Sequence, residues 1–157
     1  MNTDTYKKFP DFVKLRERYE SLEPGQRAEL RRVGEPDDLS FRPALYRLFP
    51  GERPDERHRR VAFLLPWCEQ AKGGSPGLGE QLVAKRIVET RVLQVGRATS
   101  PLDLIQFRRL AMHVEPTVDW AKFGPLLWFW GSLSKRRIVE DFYLAQFDKS
   151  KGGRNEL

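Results

Sequence analysis

Ser100-Pro101-Leu102-Asp103-Leu104-Ile105-Gln106-Phe107-Arg108-Arg109-Leu110-Ala111-Met112-His113 reads as a helix. Ser100 can cap it, Pro101 fits the first helical position, and Asp103 sets a carboxylate beside the unpaired N–H groups of the first turn. The helix should run to about His113, before Pro116. Wound at the helical period, Gln106, Arg109 and His113 share one narrow polar face. Arg108 falls instead between Leu104 and Met112, in an apolar surround. A guanidinium there must snorkel out, pair with a buried carboxylate or meet a partner.

The same period extends in both directions. Phe12, Leu15, Tyr19 and Leu22 line one helix face, which Pro24 and Gly25 should end. A short helix is expected from about Gln26 to Val33, stopped by Gly34 and Pro36. Pro43 opens a further helix, with Pro50 and Gly51 closing it. Another should begin near Pro54 or Asp55. From Val61 its pattern is apolar all round, which places it centrally, with Pro66 kinking or ending it. Gly73 to Gly79 is the clearest loop and the candidate hinge. Short helices are expected around Gly79–Lys85 and Ile87–Val95, then Asp119–Trp130 with Pro125 bending it, and Ser134–Phe147. No segment alternates long enough for a half-buried strand, and no repeat recurs. The expectation is an all-α bundle of about seven to nine helices. It forms a single domain over 1–148 with a Gly-rich, frayed tail over 149–157.

The chain has 157 residues, 39% hydrophobic and 32% charged, so it can bury about 70% of its unfolded surface without disulfide staples. Cys68 is the single cysteine, which fits a reducing compartment. The longest apolar run, Val61 to Cys68, is far short of the roughly 20 residues that span a bilayer. The N-terminus lacks a basic and an apolar signal region, so a cytoplasmic protein with no membrane partner is expected. The net charge is +6, and arginine supplies 19 of the 28 Lys and Arg residues. Arginine grips phosphate bidentately and stacks on bases, so this excess favours nucleic acid more than a lysine excess would.

The residues offer little for catalysis. One cysteine and two separated histidines do not make a zinc site. His58 and His113 read as partly buried polar residues, and Cys68 as an inert core thiol. The glycines of 73–79 lack the spacings that cradle phosphate. Asp37 and Asp38 look like turn and cap residues. Glu140 and Asp141 have Arg136 and Arg137 four residues earlier, the spacing of helix-surface pairs. A non-catalytic chain with no metal and no cofactor is therefore expected. Arg53, Arg57, His58, Arg59 and Arg60 crowd positive charge at a helix N-terminus, against the dipole and only partly offset by Asp55 and Glu56, which suggests an external anion, although a solvated face is the commoner explanation of such a cluster. Trp67, Trp120, Trp128 and Trp130 could stack bases, but their apolar neighbours favour core packing.

Two segments carry a resemblance. Leu30-Arg31-Arg32-Val33-Gly34-Glu35-Pro36-Asp37-Asp38-Leu39, followed by Arg42-Pro43-Ala44-Leu45-Tyr46-Arg47-Leu48, resembles the N-terminal signature of the CasB family. These are the small subunits of the type I-E CRISPR surveillance complex, Cascade. Gln106-Phe107-Arg108-Arg109-Leu110, His113-Val114-Glu115-Pro116, Asp119-Trp120, Trp130-Gly131 and Glu140-Asp141-Phe142 resemble the family's C-terminal half in order and spacing. The resemblance covers roughly half the chain. The stretch from Pro66 to Arg97 departs from it, so contacts made there by relatives do not transfer.

The resemblance implies an all-α, non-catalytic subunit, present in two copies. Its partners would be the backbone and large subunits, the guide RNA and the target DNA. It would bind nucleic-acid backbone and help hold opened target DNA, including the displaced strand. It marks Arg31, Arg32, Arg47, Arg108 and Arg109 as nucleic-acid-binding positions, while Arg60 and Arg97 rest on charge alone. The rival reading is a helical scaffold or adaptor whose basic patch binds an acidic protein. An enzyme with an unrecognised site is a third.

Overall fold

The all-round apolar stretch from Val61 to Leu65 lies at the centre of the molecule, where every one of its residues is fully buried. The computed structural model describes residues 10–148, so the expected tail 149–157 lies outside the described residues. Within them, nine α-helices follow in order: α1 Phe12–Ser21, α2 Pro24–Arg31, α3 Pro43–Leu48, α4 Glu56–Leu64, α5 Leu78–Ala84, α6 Glu89–Arg97, α7 Leu102–Val114, α8 Trp120–Trp128 and α9 Ser132–Gln146. Tight 3-10 turns cover Pro36–Phe41 and Leu65–Trp67. Two short strands, β1 Glu69–Gln70 and β2 Thr117–Val118, pair in parallel, Glu69 opposite Thr117. The all-α expectation is met.

Helix α4 packs against the 3-10 turn, α8, α7 and α2, while α5, α6 and α9 pack together, and α6 also meets α7. Two glycines set the closest approaches. A Cβ on Gly79 would overlap the backbone carbonyl of Asp141, so α5 lies directly on α9. A Cβ on Gly124 would overlap the Phe12 ring, which seats α1 on α8. Pro66 does end α4, because the chain tightens into the 3-10 turn there. Pro125 sits inside α8, as expected.

Several boundaries differ from the sequence reading. Pro24 does not end α1 but opens α2, where Glu23 caps and the Gln26 side chain accepts from the Glu23 N–H. Ser100 does not cap α7, and Pro101 precedes the helix instead of beginning it. The Asp103 and Ile105 N–H groups already donate to the carbonyls of Thr99 and Pro101, and Asp103 Oδ1 accepts from Leu104 N–H at 2.7 Å. The other carboxylate oxygen of buried Asp103 receives Lys135 Nζ at 3.1 Å and Trp130 Nε1 at 2.9 Å. Neither Arg136–Glu140 nor Arg137–Asp141 closes into an ion pair among the described residues, although Arg137 acts on the Asp141 carboxyl at longer range.

Candidate nucleic-acid interface

An arginine is available to an external phosphate only if its guanidinium is not already held, and this divides the basic residues. In the cluster at the start of α4, Arg57, His58, Arg59 and Arg60 are held, while Arg53 is exposed with no side-chain partner among the described residues. Asp55 caps the helix and accepts from Arg57 Nη2 at 2.7 Å, and the Arg57 guanidinium also lies 4.7 Å from the centre of the Trp128 ring. The Arg57 hydrogen bond keeps the Asp55 carboxyl well below the usual carboxylate range. His58 is buried between the Phe49 and Trp128 rings, with Asp55 and Glu52 at its two nitrogens. Arg59 pairs with Asp37 at 3.3 Å. Arg60 donates to the carbonyls of Leu127 and Trp128 and pairs with Glu56 at 3.5 Å. The crowding of charge against the dipole therefore needs no external anion. Arg57 and Arg59 are paired with Asp55 and Asp37, and Arg60 completes the carbonyl end of α8.

Arg108 takes the third dimension that a helical wheel lacks. Among the described residues it pairs with no carboxylate. Its Nη1 donates to the Val33 carbonyl and its guanidinium lies 4.3 Å from the Phe63 ring centre, while its buried Nε has no partner among the described residues. Burial lowers its pKa, and adjacent Arg109 adds to that effect. Arg108 is thus an anchor that fastens α7 to the residues following α2. Arg16 and Arg18 act in the same way, donating at 2.6 Å to the carbonyls of Leu65 and Leu48.

Arg31, Arg32, Arg47 and Arg109 are exposed. Arg31 makes a single 3.0 Å bond from Nη1 to the Tyr19 hydroxyl. Arg32, Arg47 and Arg109 are exposed, and no hydrogen bond or ion pair holds their side chains among the described residues. The fold joins the elements that carry these three. Arg108 ties α7 to Val33, next to Arg32, and Glu29 Oε1 accepts from Ala44 N–H at 3.1 Å, tying α2 to the first turn of α3. Arg97 is also exposed, but it stands at the end of α6 near Tyr143 of α9, apart from the α2–α3 junction.

Sequence reasoning passed over Arg42. It is half-buried, precedes Pro43 and likewise carries no side-chain partner among the described residues. Its signal was faint because it lies in a connection, where helical projection says nothing. His113 is exposed, not partly buried, and its Nδ1 stands 3.0 Å from Arg91 Nη1. The tryptophans do pack the core: Trp120 and Trp128 are buried, and Trp120 Nε1 donates to the Cys68 carbonyl. Burial pushes the Cys68 thiol up to about 12. Among the described residues no group of three or more His, Cys, Asp and Glu could hold a metal ion. No described helix is long and apolar enough to cross a membrane.

No family model matches the chain. The chain is similar to the CRISPR system Cascade subunit CasB of Escherichia coli K12, with 35% identity over 154 residues, covering 86% of this chain and 94% of that protein. It is also similar to a chain in the crystal structure of E. coli Cascade bound to a PAM-containing double-stranded DNA target. That match has a TM-score of 0.75 and 33% identity, and covers 88% of this chain and 99% of that one.

Proposed function

This chain belongs to the CasB family, and on that premise we propose that it is a Cascade subunit that holds nucleic acid by its backbone. Its partners are the other subunits of the complex, the guide RNA, the target DNA and a second copy of itself. Its task is to stabilise the opened target, including the displaced strand, without reading sequence. The physics suits that role. Guide pairing reads the sequence, and strand exchange is so nearly balanced that a few protein–phosphate contacts tip it.

One observation carries the reading. Arg32, Arg47 and Arg109 are exposed and unpartnered among the described residues, on elements that two internal hydrogen bonds bring together. Arg31 adds a fourth cation held by one bond only. Arg60 and Arg108 support the fold, and Arg97 lies apart. The chain acts without chemistry of its own. Its thiol is buried and protonated, and the His58 ring is fixed between carboxylates and aromatic faces.

Filter binding of unrelated single strands across a salt series tests this. Three engaged phosphates give a slope of log K against log salt of about −2, at about −0.7 per contact. Arg32→Ala or Arg109→Ala should weaken every sequence alike and flatten the slope by about one contact. A flat salt response in the wild type would return the chain to the adaptor reading.

A further inference from the structure

Phe41 is 89% exposed at the end of the 3-10 turn, which makes it the most exposed large apolar side chain among the described residues. Tyr46, itself 46% exposed, donates its hydroxyl at 2.7 Å to the carbonyl of Ser40, which pins its ring beside the residue preceding Phe41. The backbone is fixed as well: Arg42 N–H donates to the Leu39 carbonyl at 2.9 Å, and Pro43 follows. Arg42 and Tyr46 stand four residues apart across the start of α3, and Arg47 follows Tyr46 on the exposed side.

Both signs of charge meet at this corner: Asp37 is paired with Arg59, while Asp38 and Glu29 keep their negative charge as they accept from the Gly34 and Ala44 N–H groups. Arg42 and Arg47 have no side-chain partner among the described residues. An exposed aromatic ring on a fixed stretch of backbone, followed by two guanidinium groups without partners among the described residues, matches the chemistry of a single-stranded nucleic acid, with a base against the ring and phosphates at the cations.

We propose that Phe41 is a stacking platform for a base of a bound single strand, with Arg42 and Arg47 taking the flanking phosphates. The platform rests on the backbone-binding reading above and adds to it a contact that salt does not screen. It is sequence-tolerant, because every base has a π-face.

The experiment compares two strands of equal length and charge by fluorescence anisotropy with the full chain. One carries a mixed sequence, and the other has abasic residues at its centre. The wild type should prefer the base-bearing strand by about 5- to 150-fold. Phe41→Ala should lose that preference while keeping both the abasic-strand affinity and the salt slope, and Phe41→Trp should keep it. Because Phe41 buries so little, Phe41→Ala folds as the wild type does, which its melting curve will show. Salt-dependent binding without any preference between the strands would overturn the platform and leave the backbone reading intact. No binding of either strand would overturn both. A Phe41→Ala chain that keeps the preference but no longer joins a reconstituted complex would overturn the platform in favour of a protein contact.

Discussion

Arg108 and Arg109 are neighbours on one helix with opposite expected phenotypes. Arg108→Ala removes a charge-assisted hydrogen bond to the Val33 carbonyl and a guanidinium–Phe63 contact. The bond contributes about 1.5–3 kcal/mol and the contact about 0.5–2 kcal/mol. Some of that returns, since the substitution also removes a desolvated cation whose Nε is unpaired. No carboxylate is orphaned, so the loss of about 3–5 kcal/mol that follows breaking a buried ion pair does not apply. The expected net loss is about 2–3 kcal/mol, or a Tm lower by roughly 4–12 °C for a chain of this size. Arg108→Met keeps an apolar stem near Phe63 but leaves Val33 unpaired, so it should fall between the alanine variant and the wild type. Arg109→Ala should stay within about 0.5 kcal/mol of the wild type and weaken strand binding instead. Thermal melts and salt-dependent binding on the same three variants separate the roles. An unchanged Tm in Arg108→Ala, or equal stability losses at both positions, would refute the anchor.

Two further outcomes concern the scaffold. Gly79→Ala sets a methyl against the Asp141 carbonyl, and because backbone cannot step aside it should cost about 1–3 kcal/mol in urea unfolding. Gly25→Ala in α2 meets nothing within 4 Å and should be neutral or stabilising; equal midpoints for the two variants would rule out the close α5–α9 approach. Asp55 titrates lower folded than unfolded, chiefly through its Arg57 hydrogen bond, so its stabilisation is complete above its unfolded value near about 3.9 and is lost as pH falls towards the folded one. Because Asp55 and Arg57 are each nearly half exposed, Asp55→Asn should lessen the acid-induced loss of stability between about pH 5 and pH 2 by under about 1 kcal/mol. Parallel stability–pH curves for the variant and the wild type would contradict that assignment.

The sequence by itself determined the helices and the central place of Val61–Leu65. Helical period, proline position and an unbroken apolar run are local properties, and local hydrogen bonding and hydrophobic burial act on them directly. It also determined that Arg108 and Arg109 differ, since a helix wheel separates them whatever they touch. Boundaries were less legible: Pro24 is equally compatible with ending one helix and opening the next, and the Glu23–Gln26 cap decides between them.

Only the tertiary structure decided which cations are free. Arg60 and Arg32 look alike as residues in a basic run. One reaches two carbonyls from the distant end of α8, and the other reaches solvent. Phe41 reads as one more apolar residue until the 3-10 turn directs it outward. Arg108 needed a partner, but its partner is a carbonyl 75 positions away, and no pattern of charges along the chain marks a carbonyl. Every residue carries such an acceptor, so its identity cannot be encoded by residue type. It is fixed only when packing brings one backbone end against one side chain.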